Sequence, residues 1–339
     1  MRRGVSRSGA ISLLIGLAAV LVLVATNDPE EILRLLGQAG RGMAAVVALH
    51  LPQILLSALG WAPLIDDPRR PGWASLARMR WIGEAVNNLL PVAQVGGEIL
   101  RARLLLHRGI AGTTAIASLV VDLATEMVAQ AAFTALGLLV LMLIPHAAGS
   151  TGWSAMLGAA AFGGIMAAAF MAAQRWGLLR LAEALLPRLA ERAGWKALDG
   201  ASGGLHDAVV RLYRAPRRLW LSGAAHLASW LFGTLEIWVA LRLLGAEVGL
   251  AEALVIESLG QAVRSAAFLL PGGLGVQEGG FVLIGALFGI TADQAIALSL
   301  IRRLRDVALG VPGLIAWRCG AAARDRRGPA APARTLHEW

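Results

Sequence analysis

The sequence predicts an all-α polytopic membrane protein, with about six transmembrane helices and two re-entrant helical hairpins in inverted repeats. Three observations lead there. Of 339 residues, 57% are hydrophobic and only 16% are charged, too few charges to cover the surface of a soluble domain this long. Several apolar runs reach the roughly 20 residues needed to cross a hydrocarbon layer. Finally, one Pro-to-Glu block occurs twice. Residues 89–102 read LLPVAQVGGEILRA and residues 269–282 read LLPGGLGVQEGGFV.

The two blocks lie 180 residues apart and place Pro91 and Glu98 opposite Pro271 and Glu278. At the same offset Gly109-Ile110 meets Gly289-Ile290. Over 89–117, 9 of 29 positions are identical. Apolar sequence of low complexity can mimic a repeat, but Pro and Glu are scarce here and match too. We read an internal duplication.

The elements follow in order. Arg2, Arg3 and Arg7 precede an apolar run at about 11–25. A signal peptide would look similar. The stretch Ala25-Thr26-Asn27-Asp28-Pro29 is a poor cleavage site, so an uncleaved first span is expected. An outer amphipathic segment, 28–42, leads to a second span at about 43–65, with His50, Pro52 and Gln53 inside it. A basic loop, 66–80, precedes the first hairpin at about 81–107, which holds Glu84, Gly96, Gly97, Glu98, Arg101 and Arg103. The third span, about 112–144, carries Asp122, Glu126 and Gln130 at i, i+4, i+8, one polar stripe. A Gly- and Ala-rich fourth span is expected at about 153–173, and small residues there permit close packing.

Residues 174–218 read as a basic connector with an interfacial amphipathic helix and a second short helix at 205–213. The fifth span, about 219–244, contains His226 and Glu236. The second hairpin, about 253–290, holds Glu257, Gln261, Arg264, Gly272, Gly273, Gly275 and Glu278. The last span, about 292–317, carries Arg302, Arg303, Arg305 and Asp306 near mid-depth. The reading is a single membrane domain, 1–318, with repeats at about 43–144 and 219–318 and a disordered tail at 319–339.

Charge placement orients the map. Residues 1–8, 66–80, 174–218 and 318–339 hold 21 of the 31 Lys and Arg, and all four lie on one side, expected to be the cytoplasm. Both termini then face the cytoplasm of a bacterial inner membrane. This bias accounts for the net charge of +9 without nucleic acid, for which no binding module is visible. Three spans separate the hairpins, so the repeats are inverted, an architecture of transporters.

Glu98 and Glu278 follow a helix-breaking Pro. A carboxylate there can carry a proton or bind a cationic headgroup, or it can lock the hairpin in a salt bridge, and both readings stand. The neighbouring glycines, Gly96, Gly97, Gly272, Gly273 and Gly275, supply backbone freedom or let backbone approach a ligand. Asp122 and Glu126 align with Arg302 and Asp306, and Glu84 with Arg264. Opposite charges at equivalent positions suggest ion pairs across the bundle, with Asp122 meeting Arg302. A central Arg costs about 3 kcal/mol or more in lipid, so Arg302, Arg303 or Arg305 must face carboxylates or a lipid phosphate. The histidines have no HExxH-like spacing, Cys319 is the one cysteine, and no nucleophile elbow, Walker A or dinucleotide fingerprint occurs. No catalytic set, metal site or cofactor is expected.

The segments NNLLPVAQVGGEILRARLL, LLPGGLGVQEGGFVLIGALFG and ALSLIRRLRDVALGVPGL resemble the transmembrane domain family of lysylphosphatidylglycerol synthases, most closely its stand-alone members associated with hopanoid biosynthesis. The resemblance implies lipid translocation, with membrane lipids as partners and lipid-biosynthesis enzymes as further candidates. It assigns Pro91, Gly96, Gly97, Glu98 and Arg101 to one family block, and Pro271, Gly272, Gly273, Gly275 and Glu278 to the other. The residues of the bifunctional members' soluble aminoacyl-transferase domain are not in this sequence, so synthase activity is not expected of it. A non-transporting scaffold that recruits lipid-modifying enzymes through 174–218 is the alternative.

The topology has a direct test. In a background lacking Cys319, single cysteines at Ser75 and Ser202 should label only with reagents that reach the cytoplasm, and one at Ser150 from outside. Labelling of Ser75 and Ser150 from the same side would remove the inverted arrangement.

Overall fold

The structure, a computed structural model, describes residues 27–90, 96–144, 202–266 and 275–325. The expected first span (11–25), fourth span (153–173), amphipathic part of the connector (174–201) and last part of the tail (326–339) lie outside the described residues. So do the two breaks, with Pro91, Pro271, Gly272 and Gly273.

The described residues form ten α-helices and no strand: α1 Pro29–Ala39, α2 Met43–Trp61, α3 Trp73–Leu89, α4 Gly96–Leu106, α5 Gly112–Leu143, α6 Ser202–Tyr213, α7 Pro216–Leu243, α8 Leu250–Ala266, α9 Val276–Ala286 and α10 Ala292–Asp325. The repeat offset is reproduced residue by residue. Adding 180 to the bounds of α4 gives those of α9, and the starts of α5 and α10 are related the same way. Three helical stretches are long and apolar enough to span a membrane: Met43–Leu64, Gly112–Leu143 and Pro216–Leu243. In α10, Arg302, Arg303, Arg305 and Asp306 interrupt an otherwise comparable helix.

Local signals place the boundaries. Asp28 caps α1, its Oδ1 accepting from the N–H groups of Glu30 and Glu31 at 3.0 and 3.1 Å, with Pro29 at the first helical position. Helix α3 ends at Leu89, and Leu90 is extended (φ −110°, ψ 144°), as a residue before proline must be. Helices α4 and α9 end in the same motif. Gly109 and Gly289 take φ +80° and +72°. Behind them Ile110 N–H bonds Leu105 O at 3.3 Å, and Ile290 N–H bonds Gly285 O at 3.1 Å. This is the six-to-one closure that favours glycine in the left-handed region, sealed by an apolar contact.

The packing fixes the direction of each helix. Gly83 and Asn87 of α3 meet Arg101 and Gly97 of α4, so the two run antiparallel. Arg101 reaching Asp122 makes α4 antiparallel to α5. Helices α3 and α5 therefore point the same way. Helix α10 runs against α3: Gly310 lies on Leu89, Gly313 on Ala85, and Arg78 donates to Ala316 O at 3.3 Å. Helix α8 runs against α5, with Gly137 on Ser258 and Gln130 donating to Ser265 Oγ at 2.6 Å. The second repeat is thus inverted relative to the first. The packing is also crosswise, since each repeat's first hairpin helix lies along the other's long helix. Helices α2 and α7 form an antiparallel seam, shown by the contacts of Gly60 with His226 and of Gly42 with Leu243.

A Cβ added at Gly289 would meet open space, and one at Gly109 would have only an ordinary contact. Substitution there tests backbone conformation alone. Gly109→Ala and Gly289→Ala should each cost about 1–2 kcal/mol, the penalty of left-handed backbone with a side chain. Thermal unfolding in detergent measures it, and two unshifted transitions would contradict the shared turn.

Candidate functional site

Acidic and basic side chains on α2, α3, α4, α5, α7, α8, α9 and α10 are buried together, and hydrogen bonds set their positions. The first cluster surrounds Asp122, which is 0% exposed on α5. Arg101 Nη1 donates to its Oδ2 at 2.9 Å, and His226 Nε2 lies 2.9 Å from its Oδ1. Arg80 reaches Oδ2 at 3.5 Å and donates to Glu126, one turn along α5, at 2.5 Å. Arg101, 1% exposed, also pairs with Glu98 one turn back on α4. Its guanidinium lies 4.8 Å over the Trp61 ring.

The second cluster holds five carboxylates, those of Glu84, Glu236, Glu257, Glu278 and Asp306. Glu236 of α7 pairs with Arg305 and accepts from Gln53 Nε2 at 2.6 Å. His50 Nδ1 lies 3.0 Å from Glu236, and His50 Nε2 lies 2.6 Å from Glu84. Arg305 also holds Asp306 at 2.6 Å. Glu257 of α8 takes Arg302, and Gln261 donates to it at 2.8 Å. Glu278 accepts from Ser299 and from Arg303, each at 2.9 Å. The other oxygen of Glu278 accepts the Gly275 N–H at 2.7 Å and so caps α9.

The repeat is visible inside the site. Positions 101 and 122 meet in the first repeat, and the equivalent positions 281 and 302 meet in the second. One contact is an ion pair; the other places the Arg302 guanidinium 5.6 Å over the Phe281 ring. The same framework therefore carries opposite charge at one depth.

Of the residues singled out in the sequence, Glu98, Arg101, Asp122 and Glu126 come together, as do Arg305 and Asp306. Gly97 serves close approach. A Cβ there would sit 2.2 Å from Gly83 O, so the hairpin arms touch through their backbones. Gly96 opens α4 and Gly275 precedes α9.

Two expectations are corrected. Asp122 does not pair with Arg302, whose carboxylate partner is Glu257. Helices α5 and α10 share no substantial packing, because each lies along the other repeat's first hairpin helix. Their charges therefore find partners on hairpins and on α7. Glu84 and Arg264 part in the same way: Glu84 faces His50, and Arg264 donates to Asn88 Oδ1 at 3.2 Å.

Sequence reasoning missed Arg80, which reads as part of a basic loop but sits two turns inside α3. It noted His50, His226, Glu236 and Glu257 without assigning them to a site. Their signal was burial at helical spacing. Ser222, His226, Ser229 and Glu236 are buried at steps of 4, 3 and 7 residues along α7, one face of that helix. Among the described residues Asp122, Glu126 and His226 are close enough to share an ion, but the guanidinium groups of Arg80 and Arg101 already balance both carboxylates.

Removing one member of a buried pair leaves an uncompensated charge, at about 3–5 kcal/mol. Asp122→Ala should destabilise by that amount in denaturant unfolding. In double-mutant cycles Asp122 and Arg101 should couple by about 1 kcal/mol or more, whereas Asp122 and Arg302 should be additive within about 0.5 kcal/mol. Coupling of Asp122 to Arg302 instead would contradict the pairing described.

A family model for the lysylphosphatidylglycerol synthase TM region matches residues 9–313 and takes in both hairpins, the α2–α7 seam, all of α5 and α10 as far as residue 313. No curated protein and no solved structure matches the chain. With inverted broken-helix repeats and a match over most of its length, the chain belongs to the family of the lysylphosphatidylglycerol synthase transmembrane region.

Proposed function

We propose that the protein is a non-enzymatic flippase-like carrier that moves membrane lipids between leaflets of the bacterial inner membrane, with hopanoids or their precursors as candidate substrates. The observation that carries this reading is the meeting of two inverted, broken-helix hairpins around a buried charge network. Broken helices meeting in inverted repeats build midplane substrate sites in transporters, and irregular backbone at that depth is tolerated where it lines a cavity. Charges kept inside a membrane domain, at a cost that apolar packing would avoid, mark a pathway or a headgroup site.

A groove of about 260 Å³ supports a lipid as cargo. It is lined by Pro63, Ile65, Arg70, Arg217, Arg218 and Leu221, at the start of α7. Guanidinium groups beside apolar side chains suit a phosphate headgroup with its chains. Arg218 is also tied to Asp66 at 2.9 Å, and Arg70 to Ala62 O at 3.0 Å. On the charge map this groove faces the cytoplasm, and both termini lie on that side.

The nine Lys and Arg of 174–218 favour a second reading, a scaffold for lipid-modifying enzymes. One variant separates the two. The double change Glu98→Gln and Glu278→Gln retains side-chain shape but removes both hairpin charges. In vesicles, a carrier should stay folded and lose most of its exchange of fluorescent phospholipid between leaflets. A scaffold should show no exchange in the wild type and should keep its complexes in the variant.

A further inference from the structure

We propose that Glu84, His50 and Glu236 form a proton-binding site, with His50 as an imidazolium, and that lipid movement is coupled to its loading. The geometry points to a cation. Both ring nitrogens face carboxylate oxygens, Nδ1 at 3.0 Å from Glu236 and Nε2 at 2.6 Å from Glu84. A neutral imidazole has one N–H and one bare lone pair, so one of these contacts would set a lone pair against an anion. Only the protonated ring donates at both ends. His50 is 8% exposed and Glu236 2% exposed, so at the Glu236 end bulk water offsets little of that repulsion, while Glu84 is half-buried.

The surrounding charges are mixed: burial and Arg305 oppose a cationic ring, Glu84 and Glu236 favour it, and Arg264 of α8 stands near Asp306. Glu84 lies on α3, Glu236 on α7, and Arg305 and Asp306 on α10, while Arg80 of α3 and Arg302 of α10 act on the two glutamates from further away. Around the ring, three carboxylates (Glu84, Glu236 and Asp306) face one guanidinium, that of Arg305. With the proton bound the group carries one net negative charge; without it, two. A small cavity of about 10 Å³, lined by His50, Trp81, Glu84, Asn88 and Asp306, gives room for about one water beside the ring.

The site sits where loading would matter mechanically. Glu84 belongs to the first hairpin, and His50 and Glu236 belong to the α2–α7 seam. The proton ties α3 to that seam. Its departure turns the Glu84 contact repulsive and frees the hairpin arm that packs on α4, next to Arg101 and Asp122.

The coupling half of this inference rests on the carrier reading above; the proton site does not. Two measurements keep them apart. The first is nitrogen NMR of ¹⁵N-histidine-labelled full-length protein in lipid nanodiscs, with His50→Gln to assign the signal and His226 as an internal comparison. At pH 7 both His50 nitrogens should be protonated, and Glu84→Gln should shift loss of the proton to lower pH. A single neutral tautomer at pH 7, or a titration unmoved by Glu84→Gln, overturns the site. The second is leaflet exchange of fluorescent phospholipid in vesicles with and without an imposed pH gradient. The gradient should speed exchange several-fold in the wild type and have no effect in His50→Gln. A cationic His50 with exchange indifferent to the gradient overturns the coupling. No exchange in the wild type under any gradient overturns the carrier reading and the coupling with it, while the NMR result still decides the proton site.

Discussion

The ion pair between Asp122 and Arg101 is the contact on which the arrangement of the first repeat depends. A carboxylate with no exposure at the middle of a long apolar helix is tolerable only when cations or donors take up its oxygens. Arg101 can do so only if α4 folds back along α5, and Arg80 only if α3 lies beside both. The Gly109 turn supplies that fold-back, and the approach of Gly97 to Gly83 brings α3 close enough. Electrostatic pairing and glycine-mediated packing are thus two aspects of one constraint. In the second repeat Arg302 replaces the aspartate, and the hairpin answers with Glu257 from α8.

Such a network is weak grounds for stability, since well-packed apolar side chains of similar volume do as well or better. The α2–α7 seam joins the two clusters: His226 meets Asp122 near one end, Ser57 and Ser229 bond at 3.1 Å between, and His50 meets Glu236 near the other. A continuous polar seam through an otherwise apolar bundle lets a change of charge at one end bear on the other. The seam has two histidines, the side chain whose charge changes most readily near neutral pH.

Much of the fold was legible because its punctuation is local. Gly109 and Gly289 act through backbone conformation, and their spacing, with that of the two Leu-Leu-Pro blocks in the sequence, located the hairpin arms and the starts of α5 and α10. The site was legible by half. Glu98, Arg101, Asp122 and Glu126 stand out because charges are rare in apolar sequence. Their partners do not, since Arg80, His50, Glu236 and Glu257 become site residues only through packing between distant helices. The expected Asp122–Arg302 pair failed for a geometric reason. Residues related by a two-fold axis touch only when they lie near it, and α5 and α10 are held apart by their crosswise partners. Sequence equivalence reports symmetry, not proximity.

Crosswise packing also has a consequence for how the chain is made. Trp81 on α3 donates its indole N–H to Leu309, 228 residues later. Until α10 emerges from the ribosome, α3 has α2 and α4 to pack on but lacks the long helix that covers its remaining face. Glu84 and Asn88 are then uncovered within a nascent chain whose neighbouring helices are already fit to enter the bilayer. Half of this protein cannot finish folding alone. The first repeat reaches its full packing only when α10 of its inverted counterpart arrives.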